Sequence, residues 1–279
     1  GTDMYLSLES WYDSEFILKN AHICVVRRDE DKTALRSKAL EYAKNYRTRS
    51  TIVALKPVEA SSSDVRALLP KREGVEMLPG TVYEHIISRR LYGAKPGWNW
   101  LREKAYSMLK TKRIPHVKGC EEEAVRLALH WGADPEQAAE AAILHDITKK
   151  LNLREQLILC EKYGIIPDAL EAASEKLLHA KTGAAIAKES FGVSENVYDA
   201  IKWHTTGRAD MSLLEKIIYM ADYIEPTRDF EGVEKLRQLA YTDLDAAMKL
   251  GYEMSLGDLA RYGVSPHPNT IEALEQYER

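Results

Sequence analysis

The sequence predicts a mainly α-helical protein in which a small α/β segment precedes an all-α helical bundle. Residues 1–93 alternate between β-rich apolar runs and helical periods, whereas residues 101–279 show helical periods and no convincing strand. Between these parts, residues 94–100 follow a glycine and contain Pro96 and Gly97, which is typical of a linker. We therefore predict two domains, at 1–93 and 101–279.

The first elements of the α/β segment follow from its composition. Residues 21–28 (AHICVVRR) form a β-rich apolar run, residues 32–46 have helical spacing, and residues 51–57 (TIVALKP) form a second strand that Pro57 closes. A strand, a helix and a strand in this order predict a parallel pair joined by a crossover.

Caps and breakers mark the helices. Serines in residues 59–69 precede a short helix, and a further helix opens at Pro79 and closes at Gly93. In the bundle, three predicted helices each begin after an N-cap residue, and two of them each end at a helix-breaking residue. The caps are Asp134, Ser194 and Ser212, and the stops are Gly207 and Pro226.

Composition limits the function. The chain has 279 residues, is 45% apolar and carries a net charge of -4, so it has no general attraction for nucleic acid or an anionic membrane. No apolar stretch is long enough to span a bilayer, and no signal sequence opens the chain, so we expect a cytoplasmic protein. Three widely spaced cysteines, Cys24, Cys120 and Cys160, predict buried or idle thiols rather than disulfides or a zinc ribbon.

Six metal-ligating side chains fall in the helical part, most of them among apolar neighbours. They are His116, His145, Asp146, His179, His204 and Asp222. A buried imidazole or carboxylate costs several kcal/mol unless it is paired, and a metal ion is a common partner. Imidazole with carboxylate suits iron, manganese, cobalt or zinc, and six groups exceed the needs of one ion. Two ions bridged by a carboxylate use them all, as in phosphoryl hydrolysis.

A structural role is the alternative for any one of these residues, since a lone His-Asp pair is common. We assign ordinary structural roles to His22, His85, His130 and His267. The six residues together favour a metal centre.

Residues 100–250 resemble the HD-domain superfamily of metal-dependent phosphohydrolases. The segments AAILHDITK, AIKWHTTG and ADYIEPTR are similar to the YqeK family of symmetrical diadenosine tetraphosphate hydrolases. The resemblance implies that the six residues bind two divalent metal ions, with iron expected first and manganese or cobalt as alternatives. It also implies that Lys149 and Arg228 bind phosphate and that Thr205 and Thr206 contact the substrate. The alternatives are solvated charges and hydroxyls at helix ends.

Residues 1–93 resemble the C-terminal half of bacterial nicotinate mononucleotide adenylyltransferases, which have a Rossmann-like fold. The similar segments are GTDMYLSLESW, CVVRR and SSSDVR. The resemblance implies nucleotide-binding roles for Asp3, Trp11, Ser62, Ser63 and Arg66. The family's Gly-rich, double-histidine loop is absent from the 279 residues, so we expect no adenylyltransferase activity from this chain. A structural docking role is the alternative.

The resemblances together predict a metal-dependent hydrolase that converts diadenosine tetraphosphate to two ADP. The alternatives are nicotinate-nucleotide adenylyl transfer in NAD biosynthesis, as the activity of a parent fusion, hydrolysis of another nucleotide, and a nucleotide sensor without turnover. The expected partner is the dinucleoside polyphosphate, without nucleic acid or membrane. The sequence leaves a homodimer open.

Overall fold

The structure is a computed structural model that describes residues 1–27, 32–54 and 61–278. It contains two compact units, Gly1–Ser62 and Ser63–Arg279. Within the described residues, no helix is both long enough and apolar enough to cross a membrane.

The first unit contains the predicted parallel strand pair. Helices α1 and α2 precede strand β1, and helix α3 connects β1 to strand β2. The bounds are Thr2–Leu6 for α1, Ser14–Asn20 for α2, His22–Arg27 for β1, Lys32–Tyr46 for α3 and Arg49–Ala54 for β2. The strands run parallel, with Val25 opposite Ile52. The strand–helix–strand prediction is confirmed, although the proposed strand ends at Arg28 and Pro57 lie outside the described residues.

The hydrophobic core of this unit explains the crossover. Leu18, Val25, Leu35 and Tyr42 are buried together. The Tyr42 hydroxyl donates to the main-chain oxygen of Tyr5, which satisfies its polar end inside the core. The helix therefore packs its apolar face against the strand pair.

The second unit is helical throughout its described residues, as predicted for the bundle. Its helices are α4 (Ser62–Leu68, which begins at the last residue of the first unit), α5 (Gly80–Ser88), α6 (Trp98–Ser107), α7 (Ile114–Trp131), α8 (Pro135–Leu144), α9 (Leu153–Tyr163), α10 (Glu175–Phe191), α11 (Glu195–Trp203), α12 (Leu213–Ile224), α13 (Val233–Ala240), α14 (Leu244–Arg261) and α15 (Pro268–Glu275). One large hydrophobic core, contributed mainly by α7, α8, α10, α11 and α12, holds the bundle together.

The predicted N-caps are confirmed. Asp134 accepts hydrogen bonds from the amides of Glu136 and Gln137, and Ser194 accepts from the amide of Val197. At α12, Ser212 and Glu215 form a reciprocal capping box. Side chains thus satisfy the free amides at the start of these helices.

Two predicted helix ends are wrong. Helix α11 ends at Trp203, four residues before Gly207, and α5 ends at Ser88, five residues before Gly93. Gly207 has a φ of 64°, and a Cβ there would lie 2.0 Å from the Tyr252 hydroxyl oxygen. Close approach to Tyr252 and a left-handed backbone both require glycine at this position, and neither marks the end of a helix.

Residues 63–97 pack on the helical bundle instead of forming a separate body. The buried carboxylate of Glu140 accepts hydrogen bonds from Arg72 at 3.0 Å and from Arg90 at 3.0 Å. Arg72 also donates to the main-chain oxygen of Pro96. In the segment predicted as a linker, Ala94 is buried and α6 begins at Trp98. The first compact unit ends at Ser62. The domain boundary at residue 93, which was predicted from the sequence, stays a prediction.

Candidate metal centre

Five helical segments bring the six predicted ligands together. His116 lies in the first turn of α7, His179 near the start of α10 and Asp222 near the end of α12. His145 and His204 are the C-cap residues of α8 and α11. The helix of α8 ends at Leu144, so His145 and Asp146 extend from the turn that follows it into the bundle interior.

One oxygen of Asp146 faces two of the other predicted ligands. Its Oδ2 lies 3.4 Å from His145 Nε2 and 3.9 Å from His116 Nε2. Asp222 completes this group, with its Oδ1 3.1 Å from His116 Nε2 and 4.0 Å from His145 Nε2. The two imidazole nitrogens are 3.3 Å apart.

The second oxygen of Asp146 faces a different pair. Its Oδ1 lies 3.2 Å from His179 Nε2 and 3.7 Å from His204 Nε2. These two nitrogens are 3.1 Å apart. The buried carboxylate therefore lies between two sets of nitrogen donors, one for each oxygen.

Main-chain carbonyls fix the orientation of two imidazoles. Nδ1 of His145 lies 2.7 Å from the oxygen of Ala142, and Nδ1 of His204 lies 2.7 Å from the oxygen of Ile201. A carbonyl only accepts, so Nδ1 donates in both rings, and a neutral ring then presents its Nε2 lone pair to Asp146. This is the tautomer that a metal ligand requires.

Burial and charge set the ionisation of the cluster. Burial alone would raise the pKa of Asp146, but the imidazoles of His145, His179 and His204 outweigh it and hold that pKa well below the ordinary value. Burial, followed by the Lys149 ammonium group, lowers the pKa of His179 to about 3, and burial also lowers the pKa of His204. At neutral pH the centre thus contains a carboxylate anion with neutral imidazoles beside its Oδ1.

Two observations indicate that the donor set fits divalent metal ions. Oδ1 of Asp146 is buried and accepts no hydrogen bond from any described residue, which is costly for a charged oxygen. The Nε2 atoms of His116 and His145 lie 3.3 Å apart, while Nδ1 of each ring faces an acceptor oxygen, from Glu225 and from Ala142 respectively. A bound cation satisfies both features, and nitrogen with oxygen ligands suits first-row transition metals.

Comparison with known proteins agrees with this geometry. The HD domain family model matches residues 113–227, which include all six ligands. A Halalkalibacterium halodurans protein named symmetrical bis(5'-nucleosyl)-tetraphosphatase is 41% identical over 180 residues, which are 63% of this chain and 96% of the relative. The chain belongs to this family of HD-domain proteins. The resemblance predicted from the sequence is confirmed.

Two further relatives extend the comparison beyond the HD domain itself. The crystal structure of a predicted HD superfamily hydrolase involved in NAD metabolism, from Clostridium acetobutylicum, is 37% identical, with a TM-score of 0.64 over 66% of this chain and 98% of the other. A Mycoplasma genitalium protein named probable nicotinate-nucleotide adenylyltransferase/Ap4A hydrolase is 31% identical over 201 residues. The match covers 68% of this chain and 52% of that relative, so the chain spans about half of its length.

Two residues of the candidate metal centre were not predicted from the sequence. Arg113 Nε donates to Asp146 Oδ2 at 2.5 Å. Glu225 is buried and accepts from His116 Nδ1 at 3.0 Å. A signal for Glu225 was present, because it lies three residues after Asp222 at the end of the same helix and inside the ADYIEPTR block.

Cys120 is a free, buried thiol beside the candidate metal centre, which agrees with the expectation of buried or idle thiols. It lies one turn after His116 on α7, which places both side chains on the same face of the helix. Its Sγ is 3.5 Å from His116 Nε2. Burial raises the pKa of the Cys120 thiol well above its ordinary value, so the group stays protonated at neutral pH.

Lys149 and Arg228 both lie at the candidate metal centre. Lys149 Nζ is 2.9 Å from His179 Nε2 and 3.7 Å from Asp146 Oδ1. Arg228 donates to Asp222 twice, from Nη2 to Oδ1 at 2.6 Å and from Nε to the main-chain oxygen at 2.9 Å. Both side chains are about one-third exposed, so each can meet a ligand from solvent.

The two threonines differ in orientation. Thr205 Oγ1 lies 3.2 Å from His204 Nε2 and 3.4 Å from His179 Nε2, at the edge of the centre. Thr206 is buried, and its hydroxyl donates to the main-chain oxygen of Gly207. Thr205 is therefore better placed for substrate than Thr206, whose role stays a prediction.

The predicted nucleotide-binding residues of the first 93 positions are all exposed to solvent. Asp3, Trp11 and Ser62 belong to the first compact unit, and Ser63 and Arg66 to the second. The Arg66 guanidinium stacks on the ring of Tyr92, with 5.6 Å to its centroid. A nucleotide-binding role for these five residues stays a prediction.

The remaining histidines lie outside the candidate metal centre. His22 bonds to Thr51, His85 and His130 are exposed, and His267 is buried against Asp168 at 2.7 Å. His267 is the N-cap of α15 and accepts from the amide of Asn269, so its contacts are those of a structural residue.

Proposed function

We propose that this protein is a metal-dependent hydrolase that cleaves diadenosine tetraphosphate symmetrically into two molecules of ADP. The observation that carries the proposal is the position of Asp146, whose two oxygens face two separate donor groups. The substrate is inferred from relatives such as the Halalkalibacterium halodurans protein, which is named symmetrical bis(5'-nucleosyl)-tetraphosphatase.

The residues that would hold two divalent ions fall into two sets. His116, His145 and Asp222 lie on the Oδ2 side of Asp146, and His179 and His204 lie on the Oδ1 side. Two such ions supply Lewis acidity toward the phosphate oxygens and lower the pKa of the attacking water. We propose iron first, with manganese and cobalt as alternatives.

Lys149 and Arg228 would stabilise the negative charge that develops on phosphate. Lys149 brings an ammonium group to the Oδ1 side of Asp146, and Arg228 lies on the opposite side, beside Asp222. Cations on both sides suit a substrate with two similar halves. Thr205 adds a hydroxyl beside His179 and His204 that would orient a phosphate oxygen.

Symmetrical cleavage defines the bonds that change. The oxygen of water attacks an inner phosphorus, and the bond from that phosphorus to the central bridging oxygen breaks. The second ADP leaves with the bridging oxygen, and both protons of the water are released to the solvent when the two ADP products are fully ionised. The oxygen of water therefore ends in only one of the two ADP molecules.

The test combines product analysis with elemental analysis of the full chain. Incubation with diadenosine tetraphosphate in ¹⁸O-labelled water is expected to give ADP alone, with one label per two ADP molecules, and about two transition-metal ions per chain. Formation of ATP and AMP, or absence of metal together with no activation by iron(II), manganese or cobalt, would contradict the proposal.

We also propose the cytoplasm as the site of action, because Cys24, Cys120 and Cys160 are all free thiols. Unpaired cysteines are typical of a reducing compartment. Labelling of the three thiols in protein taken directly from cells tests this, and their recovery as disulfides would contradict it.

A further inference from the structure

A cleft of about 400 Å³ beside the metal centre carries a large surplus of positive charge. Its charged lining residues are Lys110, Lys112, Arg113, Lys149, Lys150 and Lys176, with Glu175 as the single acid. We call this the cationic cleft. Arg113 and Lys149 lie near the Asp146 carboxylate, but among the described lining residues the other four cations face only Glu175, so the cleft attracts anions from solution.

Two of the lining residues connect the cleft to the metal centre. Arg113 donates to Oδ2 of Asp146, and Lys149 Nζ lies 3.7 Å from Oδ1 of the same carboxylate. The cleft therefore opens onto the residue that lies between the two donor sets. An anion held at the metal centre reaches the cleft without crossing any other part of the bundle.

Three cations of the cleft are available for a ligand. Lys110, Lys112 and Lys176 are exposed, and none of them forms an ion pair or a side-chain hydrogen bond with another described residue. Lysines elsewhere in this unit are often paired, as Lys216 is with Asp245 at 2.6 Å. An unpaired ammonium group on a flexible stem is well suited to bind a phosphate as a point charge.

We propose that the cationic cleft binds the part of the substrate's oligophosphate chain that extends beyond the metal centre, so that the number of phosphates determines affinity. The proposal rests on the proposed function, because it assigns the cleft to the same substrate. A linear oligophosphate has one charged group per unit and reaches both the metal centre and the cleft. A single phosphate reaches only one of them.

The test compares two double variants of the full, metal-containing chain. Lys110→Gln with Lys176→Gln removes two cations of the cleft, and Lys162→Gln with Lys235→Gln removes two equally exposed lysines from α9 and α13, outside it. Calorimetry measures the binding of inorganic tripolyphosphate and of inorganic phosphate. The metal ions are common to all variants, so differences between variants report the lysines.

The cleft variant is expected to bind tripolyphosphate about tenfold more weakly than the wild type, with phosphate binding changed less than about twofold. The control variant should bind both anions like the wild type. The KM for diadenosine tetraphosphate should rise in the cleft variant with little change in kcat. Unchanged tripolyphosphate binding in the cleft variant, or an equal loss in the control, would overturn the inference.

The failure of the proposed function is distinguishable from the failure of this inference. If the wild type binds tripolyphosphate through the cleft but does not hydrolyse diadenosine tetraphosphate, the proposed activity is wrong and the oligophosphate site stands. If the wild type hydrolyses the tetraphosphate and the cleft variant is unaffected in binding and KM, only the inference is wrong.

Discussion

At the scale of single residues, the carboxylate of Asp146 lies completely buried among imidazole groups, and Arg113 Nε donates to its Oδ2 at 2.5 Å. A buried carboxylate that lost its partners would raise its pKa and become protonated. Here the surrounding groups keep the pKa of Asp146 well below its ordinary value even without a metal ion. The residue is therefore charged and ready to bind a cation at neutral pH.

Replacement of Asp146 with asparagine should abolish metal binding and catalysis while the fold is kept. The amide has the same shape but lacks the charge that would join two ions, so we expect metal loss and a fall in kcat of at least about 10³-fold. Elemental analysis, turnover and circular dichroism measure this. Asp168→Asn, in the Asp168–His267 pair outside the centre, is the matched control. Two bound ions in the Asp146 variant would contradict the assignment.

Glu225 contacts a predicted metal ligand, His116. Its carboxylate accepts hydrogen bonds from His116 Nδ1 and from the amide and hydroxyl of Thr227. In Glu225→Gln, one charged acceptor is lost, and we expect metal affinity to fall about tenfold to a hundredfold. Competition with a chelator of known affinity measures it. Glu234→Gln, on the exposed surface of α13, should leave the affinity unchanged. Equal affinities for both variants would remove this role from Glu225.

At the scale of elements, two ligands are held in the same way by different helices. His145 and His204 each follow the last turn of a helix and bond back to the carbonyl three residues earlier. Carbonyl oxygens in the last turn of a helix can accept further hydrogen bonds, and each imidazole donates to one of them; the oxygen of Ile201 also accepts from the amide of His204. The carbonyl at the helix end thus fixes the orientation of the imidazole ring and gains a hydrogen-bond donor.

Helices α7 and α12 approach each other closely because α7 has a glycine at the contact. A Cβ on Gly119 would lie 2.4 Å from Glu225 Oε2 and 3.3 Å from Pro226 Cδ. Gly119→Ala should therefore displace Glu225, lower the free energy of unfolding by about 1–3 kcal/mol and weaken metal binding. Thermal melting and the chelator competition test this.

A second glycine provides the control for this prediction. Gly257 lies inside α14 with nothing within 4 Å of a Cβ. Gly257→Ala should stabilise the helix by about 0.5–1 kcal/mol, because alanine has the higher helix propensity. The two substitutions have the same chemistry, so opposite shifts in Tm isolate the contact with Glu225. A similar rise in both variants would show that α7 and α12 have room at Gly119.

At the scale of the second compact unit, the metal centre connects segments that are distant in the sequence. Its predicted ligands come from α7, α10 and α12 and from the turns after α8 and α11. Ions that bind only the folded state stabilise it by mass action, by about 4 kcal/mol when the free ion is at a thousand times its Kd. Removal of the ions should therefore lower the Tm, and re-addition should restore it.

The Asp146→Asn variant is the control for metal removal. It retains the buried surfaces of the bundle but lacks the bridging charge, so its Tm should be insensitive to chelator and to added metal. Differential scanning calorimetry of both proteins makes the comparison. A wild-type Tm that does not respond to chelator, or the same response in both proteins, would contradict a stabilising metal centre.

Local interactions were predictable from the sequence. The cap at Asp134, the capping box of Ser212 with Glu215, and helix α3 at residues 32–46 all depend on groups within a few positions of one another. The order of the histidines and aspartates was also sufficient to indicate an HD-type centre. The ends of α5 and α11 were not predictable, because a glycine can serve a tertiary contact as well as a helix end.

The sequence by itself determined the helical class of the second unit, the caps of its helices and the identity of the six candidate ligands. These features depend on periodicity and motif order, which can be read from residues close together in the sequence. The tertiary structure alone decided which oxygen of Asp146 faces which histidines, and that Glu225 bonds to His116 across 109 positions. It also decided that Lys110 and Lys176 line the same cleft. Such pairs depend on how helix surfaces pack, and packing is set by the shape of the whole core rather than by any local pattern.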